Sequence, residues 1–197
     1  MIQYKVEQNS DEWFALRRGK FTASTFKDLF MGENTQGYKD AIYKVAFERL
    51  TNTSPESFTN EYMQRGTELE PEARAWYEFE KNVEVIKAGF FEYNDWIGAS
   101  PDGLVGEDGL LEIKCPKYST MMDYLIKKEL PKTYYYQVHG QLLVTDRQWC
   151  DFLAYHPSLP KFVLRVERDK KIDDEILDKL FEAIKKAETI INKLKVA

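Results

Sequence analysis

The residues best equipped for chemistry lie in the stretch SPDGLVGEDGLLEIKCP, residues 100–116. Asp102 precedes Glu112 by ten positions, and Lys114 follows Glu112 by two. Side chains two residues apart on a strand point to the same face, about 7 Å apart at the backbone. The GEDG sequence between them can reverse the chain. We therefore expect a hairpin that places Asp102 beside Glu112, with Lys114 on the face of Glu112.

Two carboxylates and one amine on neighbouring strands suit a hard divalent cation such as Mg²⁺ or Mn²⁺. Such a cation makes a bound water more acidic and neutralises charge that develops on a phosphoryl group. A nearby lysine can orient that water or stabilise the anionic transition state. These residues predict metal-assisted phosphodiester hydrolysis without a covalent intermediate. Two alternatives stay open: Asp102 as a simple turn residue, and Glu112 with Lys114 as an exposed ion pair.

A second candidate site lies in LRRGKFTAS, residues 16–24. Free backbone N–H groups and the helix dipole favour an anion at a helix start, which we expect at Thr22 or Ser24. Three cations precede that start: Arg17, Arg18 and Lys20. Because a terminal phosphate carries more charge than a diester, this pocket would select a phosphorylated strand end. The alternatives are a surface ion pair for Arg17 and a purely capping role for Ser24.

The elements that must position these groups follow the order helices, strands, helices, strands, helix. Helical patterns cover residues 10–50, 59–81, 119–128, 133–144 and 172–194. Short apolar runs between turn residues predict strands at 83–86, 89–93, 97–99, 110–115, 149–155 and 162–166. Pro71 lacks an N–H, which predicts a bend or restart near Glu70. The fold class is therefore α/β (α+β), with a central mixed sheet flanked by helices.

Composition limits the classes of protein that fit. The chain has 197 residues, 43% hydrophobic and 31% charged, which suits a single domain with a sizeable core. A net charge of −5 excludes a protein that holds nucleic acid by bulk positive charge, but not an enzyme with local cations. Two cysteines exclude a four-thiolate metal site within one chain. No apolar run suits a membrane span or a signal peptide, so we expect a soluble, intracellular protein.

Five blocks of the chain, in order, resemble the phage lambda exonuclease and YqaJ-like recombinase family of the PD-(D/E)XK nuclease superfamily. They are EWFALRRGKFTAS, RGTELEPEAR, SPDGL, LEIKCP and YYQVHGQLLVT, beginning at residues 12, 65, 100, 111 and 135. Together they are far more specific than the P-D-x9-E-x-K spacing alone. The resemblance implies a restriction-endonuclease-like core in a single exonuclease domain. That domain would comprise a helical N-terminal part (1–58), a catalytic core (59–170) and a C-terminal helix (171–197).

The resemblance also implies roles for individual residues. The metal ligands would be Asp102, Glu112 and the backbone carbonyl of Ile113. Lys114 would be the catalytic lysine, with Glu70 delivered from a helix and Gln137 placed beside the site by another helix. Because Pro71 directly follows Glu70, the direction in which the helix points the Glu70 side chain stays open. Glu70 as a helix-terminus residue and Gln137 as a structural hydrogen-bonder are the alternatives.

For the N-terminal block, the resemblance implies that Arg17 and Ser24 hold the 5′-terminal phosphate, with Thr22 near enough to assist. The activity implied is a Mg²⁺-dependent 5′→3′ exonuclease, with Mn²⁺ as a substitute, that acts on double-stranded DNA ends. It would release 5′-mononucleotides and leave 3′ overhangs. A ring-shaped homotrimer, a single-strand annealing protein as partner, and phage or prophage origin in a bacterial cytoplasm are also implied. An endonuclease of the same fold and a catalytically silent DNA-end-binding module are the alternatives.

Overall fold

The computed structural model describes residues 1–55 and 61–195 of the chain, with residues 61–64 described by their backbone alone. The helices are α1 (Asp11–Arg17), α2 (Gln36–Thr51), α3 (Glu61–Lys81), α4 (Tyr118–Lys127), α5 (Lys132–Thr145) and α6 (Lys170–Lys195). A 3₁₀ segment, Ala23–Phe30, lies between α1 and α2. Ser10 caps α1 by accepting a hydrogen bond from the backbone N–H of Trp13 at 3.2 Å.

The described strands form two mixed sheets. One has the order β1 (Ile2–Tyr4), β4 (Phe90–Asn94), β5 (Ile97–Ala99) and β2 (Phe21–Thr22). The other has the order β3 (Val85–Ile86), β6 (Gly103–Val105), β7 (Gly109–Lys114), β8 (Trp149–Ala154) and β9 (Phe162–Glu167). The predicted mixed α/β class is confirmed, but the strands divide between two sheets. Pro101 has no N–H for a ladder, so pairing stops between β5 and β6 and the chain changes sheets there.

Strand β7 lies at the centre of the larger sheet. It pairs antiparallel with β6 and parallel with β8, and α4 and α5 supply the crossover that a parallel pair requires. Leu110 belongs to the large core that includes α5 and α6, whereas Leu111 and Ile113 pack in a second cluster with Tyr77 of α3. Because side chains alternate along a strand, Glu112 points to the α5 side of the sheet.

Helix α5 is buried along its second half, from Val138 to Thr145. It packs closely on the 3₁₀ segment, because a Cβ added at Gly140 would lie 2.4 Å from the Phe26 ring. Glycine is therefore required there by close approach rather than by backbone conformation. This contact fixes the position of α5 against the 3₁₀ segment.

The structure corrects one expectation and adds strands that the sequence did not predict. Helix α3 runs through Pro71 without a restart, because Ala73 and Tyr77 are held in the core on the far side of the proline. The strands β1, β2 and β6 have only two or three residues, too few to show an alternating pattern. Residues 59–60 and the predicted division at 58–59 lie outside the described residues. Because β1 and β2 pair with β4 and β5, the N-terminal part and the core share a sheet.

Candidate active site

The predicted hairpin is present and brings its two acidic residues together. Gly103 of β6 lies opposite Leu111 of β7, so the preceding Asp102 falls opposite Glu112. Asp102 Oδ2 accepts a hydrogen bond from the backbone N–H of Ile113 at 2.6 Å. The Asp102 carboxylate is thereby anchored to the central strand beside the Glu112–Lys114 pair.

Glu112 is the most enclosed group of the site, with 1% of its surface exposed. Its Oε1 forms an ion pair with Lys114 and accepts a hydrogen bond from Gln137 Nε2 at 2.5 Å. Its Oε2 accepts from Gln141 Nε2 at 2.7 Å. The ion pair of Glu112 and Lys114 is thus not an exposed surface pair. Helix α5 supplies two amide donors, Gln137 and Gln141, to the Glu112 carboxylate. Gln137 lies where the sequence predicts it, whereas Gln141 was not among the predicted residues.

Helix α3 brings Glu70 to the same place despite Pro71. Glu70 accepts a hydrogen bond from Arg74 Nη2 at 2.5 Å, and the same nitrogen donates to the backbone carbonyl of Asp102 at 3.1 Å. Arg74 therefore ties the helix to the hairpin. The sequence signal for this contact was the four-residue spacing of Glu70 and Arg74, which places both on one helix face.

A cleft of about 530 Å³ opens over these groups. It is lined by Gly66, Thr67, Glu70, Asp102, Ile113, Lys114, Cys115, Pro116, Lys117 and Tyr134. A second cavity of about 250 Å³ borders Glu70 and Asp102 as well, together with Gln8 and Arg74. A strand of DNA entering the cleft would therefore meet Asp102 and Lys114 together.

The electrostatics of the site show an excess of negative charge. Burial raises the pKa of Asp102 well above its usual range, and the charges of Glu112 and Glu70 raise it further against the opposing effect of Lys114. Burial by itself would lower the pKa of Lys114, but Glu112 and Asp102 outweigh it and raise that pKa. Lys114 is therefore held protonated, and one amine does not balance the carboxylates around it.

The donor set fits a hard divalent cation. Within residues 1–55 and 61–195, no three His, Cys, Asp or Glu side chains form a ready-made metal cage. Asp102, Glu112 and the carbonyl of Ile113 instead offer a small set of oxygen donors at the cleft. Mg²⁺ is commonly held by one or two carboxylates while it keeps several waters. The unbalanced negative charge is what such an ion would neutralise.

The predicted anion pocket is assembled around Arg17. Its Nη1 donates to Ser100 Oγ at 3.0 Å and its Nη2 to Thr22 Oγ1 at 3.3 Å, and Ser24 Oγ lies 3.4 Å from Thr22 Oγ1. The Arg17 guanidinium lies 4.1 Å from the Trp13 ring centroid. Trp13 Nε1 also donates to Ser100 Oγ at 2.9 Å. The three residues predicted from the sequence therefore lie together.

Arg17 is a desolvated cation. In the described part of the chain its contacts are hydroxyls and an indole rather than the carboxylate of a surface ion pair. Burial lowers the pKa of Arg17 to about 10, and the charge of Glu48 offsets this effect only in part. A cation in this setting gains from an anionic ligand, because burial removes its hydration. Thr22 takes the N-cap position of the 3₁₀ segment without a side-chain capping bond.

Helix α2 holds the loop that directly follows Arg17, the last residue of α1. The backbone N–H of Gly19 donates to Glu48 Oε2 at 2.8 Å, and Arg49 Nε donates to the Gly19 carbonyl at 2.7 Å. Gly19 has φ +71°, which favours glycine. Lys20 forms an ion pair with Glu92 at 3.1 Å, and Arg18 donates to Asn52 at 3.5 Å. Of the three predicted cations, Arg17 is the one that meets the hydroxyl cluster.

The sequence reasoning missed four residues that the structure places at these sites: Trp13, Arg74, Ser100 and Gln141. Each lies inside a block that carried the family resemblance. Ser100 belongs to SPDGL and lies two residues before Asp102, a span of at most about 7 Å. The signal was therefore present, but nothing in the sequence paired Ser100 with Arg17, 83 residues away.

Comparisons with known proteins identify the family of the chain. The family model of the YqaJ-like viral recombinase domain matches residues 12–148. The uncharacterized protein R354 of Acanthamoeba polyphaga mimivirus is 30% identical over an alignment of 164 residues, and the match covers 76% of this chain and 29% of that protein. The chain thus spans less than a third of that relative's length.

Solved structures are also similar. The alkaline exonuclease LHK-Exo of Laribacter hongkongensis is 38% identical, with a TM-score of 0.88 over 94% of this chain and 96% of that chain. Its complex with dAMP matches with a TM-score of 0.89 over the same shares of the two chains. A phage-related exonuclease of Haemophilus somnus 129PT, 18% identical with a TM-score of 0.73 over 89% of this chain and 96% of that chain, shares the fold.

No helix in the described residues is long and apolar enough to cross a bilayer. The matched region, residues 12–148, contains the anion pocket, the hairpin and both glutamines of α5. The chain belongs to the YqaJ-like viral recombinase family and shares its fold with an alkaline exonuclease.

Proposed function

We propose that the chain is a divalent-cation-dependent exonuclease that degrades one strand of double-stranded DNA from its 5′-phosphorylated end. It would release 5′-mononucleotides and leave 3′ overhangs. The likeness to an alkaline exonuclease at 38% identity supports the reaction class. The observation that carries the polarity is the hydrogen bond from Arg17 to Ser100, two residues before Asp102.

That spacing favours removal of one nucleotide at a time. Ser100 bonds to Arg17, and Asp102 lies in the cleft, so the backbone positions of Ser100 and Asp102 are at most about 7 Å apart. This is comparable to the separation of neighbouring phosphates on one strand. A terminal phosphate at Arg17 would therefore place the next phosphate at Asp102, and cleavage there yields a mononucleotide.

Asp102, Glu112 and the Ile113 carbonyl would hold Mg²⁺, or Mn²⁺ in its place. When bound, such an ion supplies Lewis-acid stabilisation of the phosphoryl group and lowers the pKa of water. Lys114, kept protonated by its two carboxylate neighbours, stabilises negative charge on the scissile phosphate. Gln137 fixes the Glu112 carboxylate, and Glu70 is presented beside Asp102 through Arg74.

Arg17 binds the terminal phosphate by charge-assisted hydrogen bonds, with Thr22 and Ser24 as hydroxyl donors. A ring-shaped homotrimer that encircles DNA would explain how a chain of net charge −5 stays on its substrate. We further propose a single-strand annealing protein as its partner, and action inside a bacterial host of a phage or prophage.

The test is digestion of a linear duplex that is labelled separately at each end, with and without Mg²⁺. We expect Mg²⁺-dependent release of labelled mononucleotide from 5′-phosphorylated ends and no cutting of covalently closed circles. Cutting of closed circles would identify an endonuclease instead. End binding without hydrolysis in Mg²⁺ or Mn²⁺ would identify a catalytically silent DNA-end-binding module.

A further inference from the structure

Gln141 is a buried amide in an apolar stretch of α5. It has 1% of its surface exposed and lies between buried neighbours such as Gly140 and Leu142. Its Oε1 has no hydrogen-bond partner among the described residues. A buried polar atom without a partner disfavours the folded state, and an apolar residue of similar shape would avoid that penalty. Packing therefore does not explain the presence of an amide at this position.

Among the described residues, the one hydrogen bond that the Gln141 side chain makes goes to the centre of the candidate site. Gln141 Nε2 donates to Glu112 Oε2 at 2.7 Å, whereas Lys114 and Gln137 both meet Glu112 Oε1. The two carboxylate oxygens are thus held from different sides. Lys114 lines the cleft, so Oε1 is the oxygen that faces the cleft side of the carboxylate.

The position of Gln141 on α5 makes this division rigid. Gln137 and Gln141 are one helical turn apart and lie on the same face. Because Gly140 packs directly against Phe26, α5 is held close to the 3₁₀ segment. The terminal torsion of a glutamate side chain has only a broad preference, and the bond to Oε2 adds to the two bonds at Oε1 in restricting it.

We infer that Gln141 is a positioning residue: by fixing Oε2 of Glu112 it turns Oε1 toward the cleft, where the carboxylate would bind a divalent cation. Gln141 itself is not among the residues that line the cleft. The inference rests on the proposed function, since it assumes that Glu112 is a ligand. Partners that orient a metal ligand in this way typically change metal affinity 10- to 100-fold when they are removed.

The experiment compares wild type with Gln141→Leu and Gln141→Met, which keep the bulk of the side chain and remove the amide. Thr145→Val is the matched control, because Thr145 is buried on the same helix and its hydroxyl donates to the backbone carbonyl of Gln141 rather than to the Glu112 carboxylate. Mn²⁺ binding is measured by the loss of the free-ion electron paramagnetic resonance signal, without DNA. Circular dichroism and thermal unfolding establish that each variant folds.

We expect both Gln141 variants to fold and to bind Mn²⁺ about 10- to 100-fold more weakly. The metal concentration for half-maximal hydrolysis should rise in parallel, with kcat recovered at saturating metal. Thr145→Val should bind Mn²⁺ as wild type does. If a folded Gln141 variant binds the metal within twofold of wild type, the inference about Gln141 is overturned and the proposed function still stands.

Unfolding of both apolar variants would also contradict the inference, because the amide would then serve the fold. If the wild-type protein binds no Mn²⁺ and hydrolyses nothing in its presence, the proposed function fails together with the inference. The two failures are therefore distinguishable.

Discussion

Arg17 donates a hydrogen bond to the hydroxyl of Ser100. This bond joins the predicted anion pocket to the segment between β5 and β6, which contains Asp102. The two residues are 83 positions apart in the chain, yet Ser100 is two residues from the candidate metal ligand. End recognition and hydrolysis would therefore be coupled by one short extended segment. The consequences can be tested residue by residue.

Arg17→Ala should lower kcat/KM on 5′-phosphorylated ends about 10- to 100-fold, since hydrogen bonds to charged groups contribute about 1.5–3 kcal/mol. Activity on 5′-hydroxyl ends should change little, because the lost contact is specific to the phosphate. The two activities are compared by initial rates on duplexes that differ only in carrying a 5′-phosphate or a 5′-hydroxyl. Arg18→Ala, one residue along and directed at Asn52, serves as control. An equal loss of activity on both substrates would show that Arg17 does not bind the terminal phosphate.

Lys114→Met should reduce hydrolysis about 10²- to 10³-fold, the typical effect of removing one electrostatic contact to a transition state. Binding of DNA ends, measured by fluorescence anisotropy, should stay within a few-fold of wild type. Lys127→Met, on the exposed end of α4, should behave as wild type in both assays. If Lys114→Met loses binding and hydrolysis to the same extent, the lysine serves DNA affinity rather than the chemical step.

Asp102→Asn should abolish hydrolysis and yet raise the unfolding temperature of the cation-free protein by a few degrees. The substitution removes one charge from a group of buried carboxylates, while the amide oxygen can still accept from the Ile113 N–H. Mg²⁺ should stabilise the wild-type protein against heat and leave the variant unchanged. A lower unfolding temperature for the variant without cations would contradict the account of excess negative charge.

Gly140→Ala should destabilise the protein by about 1–3 kcal/mol, because the added methyl group overpacks the contact with Phe26. Gly66→Ala is the matched control in α3, where a Cβ would meet no described atom within 4 Å. It should stabilise the protein by about 0.5–1 kcal/mol, the usual effect of alanine for glycine in a helix. Urea unfolding measures both. Equal effects of the two substitutions would show that helix propensity, not close packing, decides the result.

His139 should make stability depend on pH. Burial lowers its pKa below the usual range, against the opposing charges of Asp173 and Asp169. The unfolded state therefore binds the proton more readily, so stability is lost as pH falls below about 6.5 toward the folded pKa. Unfolding free energies between pH 7 and 5 should fall more steeply for wild type than for His139→Gln. Parallel curves for the two proteins would mean that His139 is not held neutral.

Sequence alone determined the chemistry of the central site. The spacing of Asp102, Glu112 and Lys114 fixes a hairpin and a shared strand face, because side-chain alternation and turn residues act over a few positions. The same local rules gave the main helices and the longer strands. They could not give β1 or β2, whose pairing energy comes from distant partners rather than from their own pattern.

Only the tertiary structure decided how the two sites meet. It brought Ser100 to Arg17, Arg74 to the carbonyl of Asp102, and Gln141 to the inner oxygen of Glu112. It also kept α3 helical through Pro71, since burial of neighbouring side chains outweighs one missing hydrogen bond. Contacts between residues far apart in the chain depend on the packing of whole elements, and no local pattern encodes that packing.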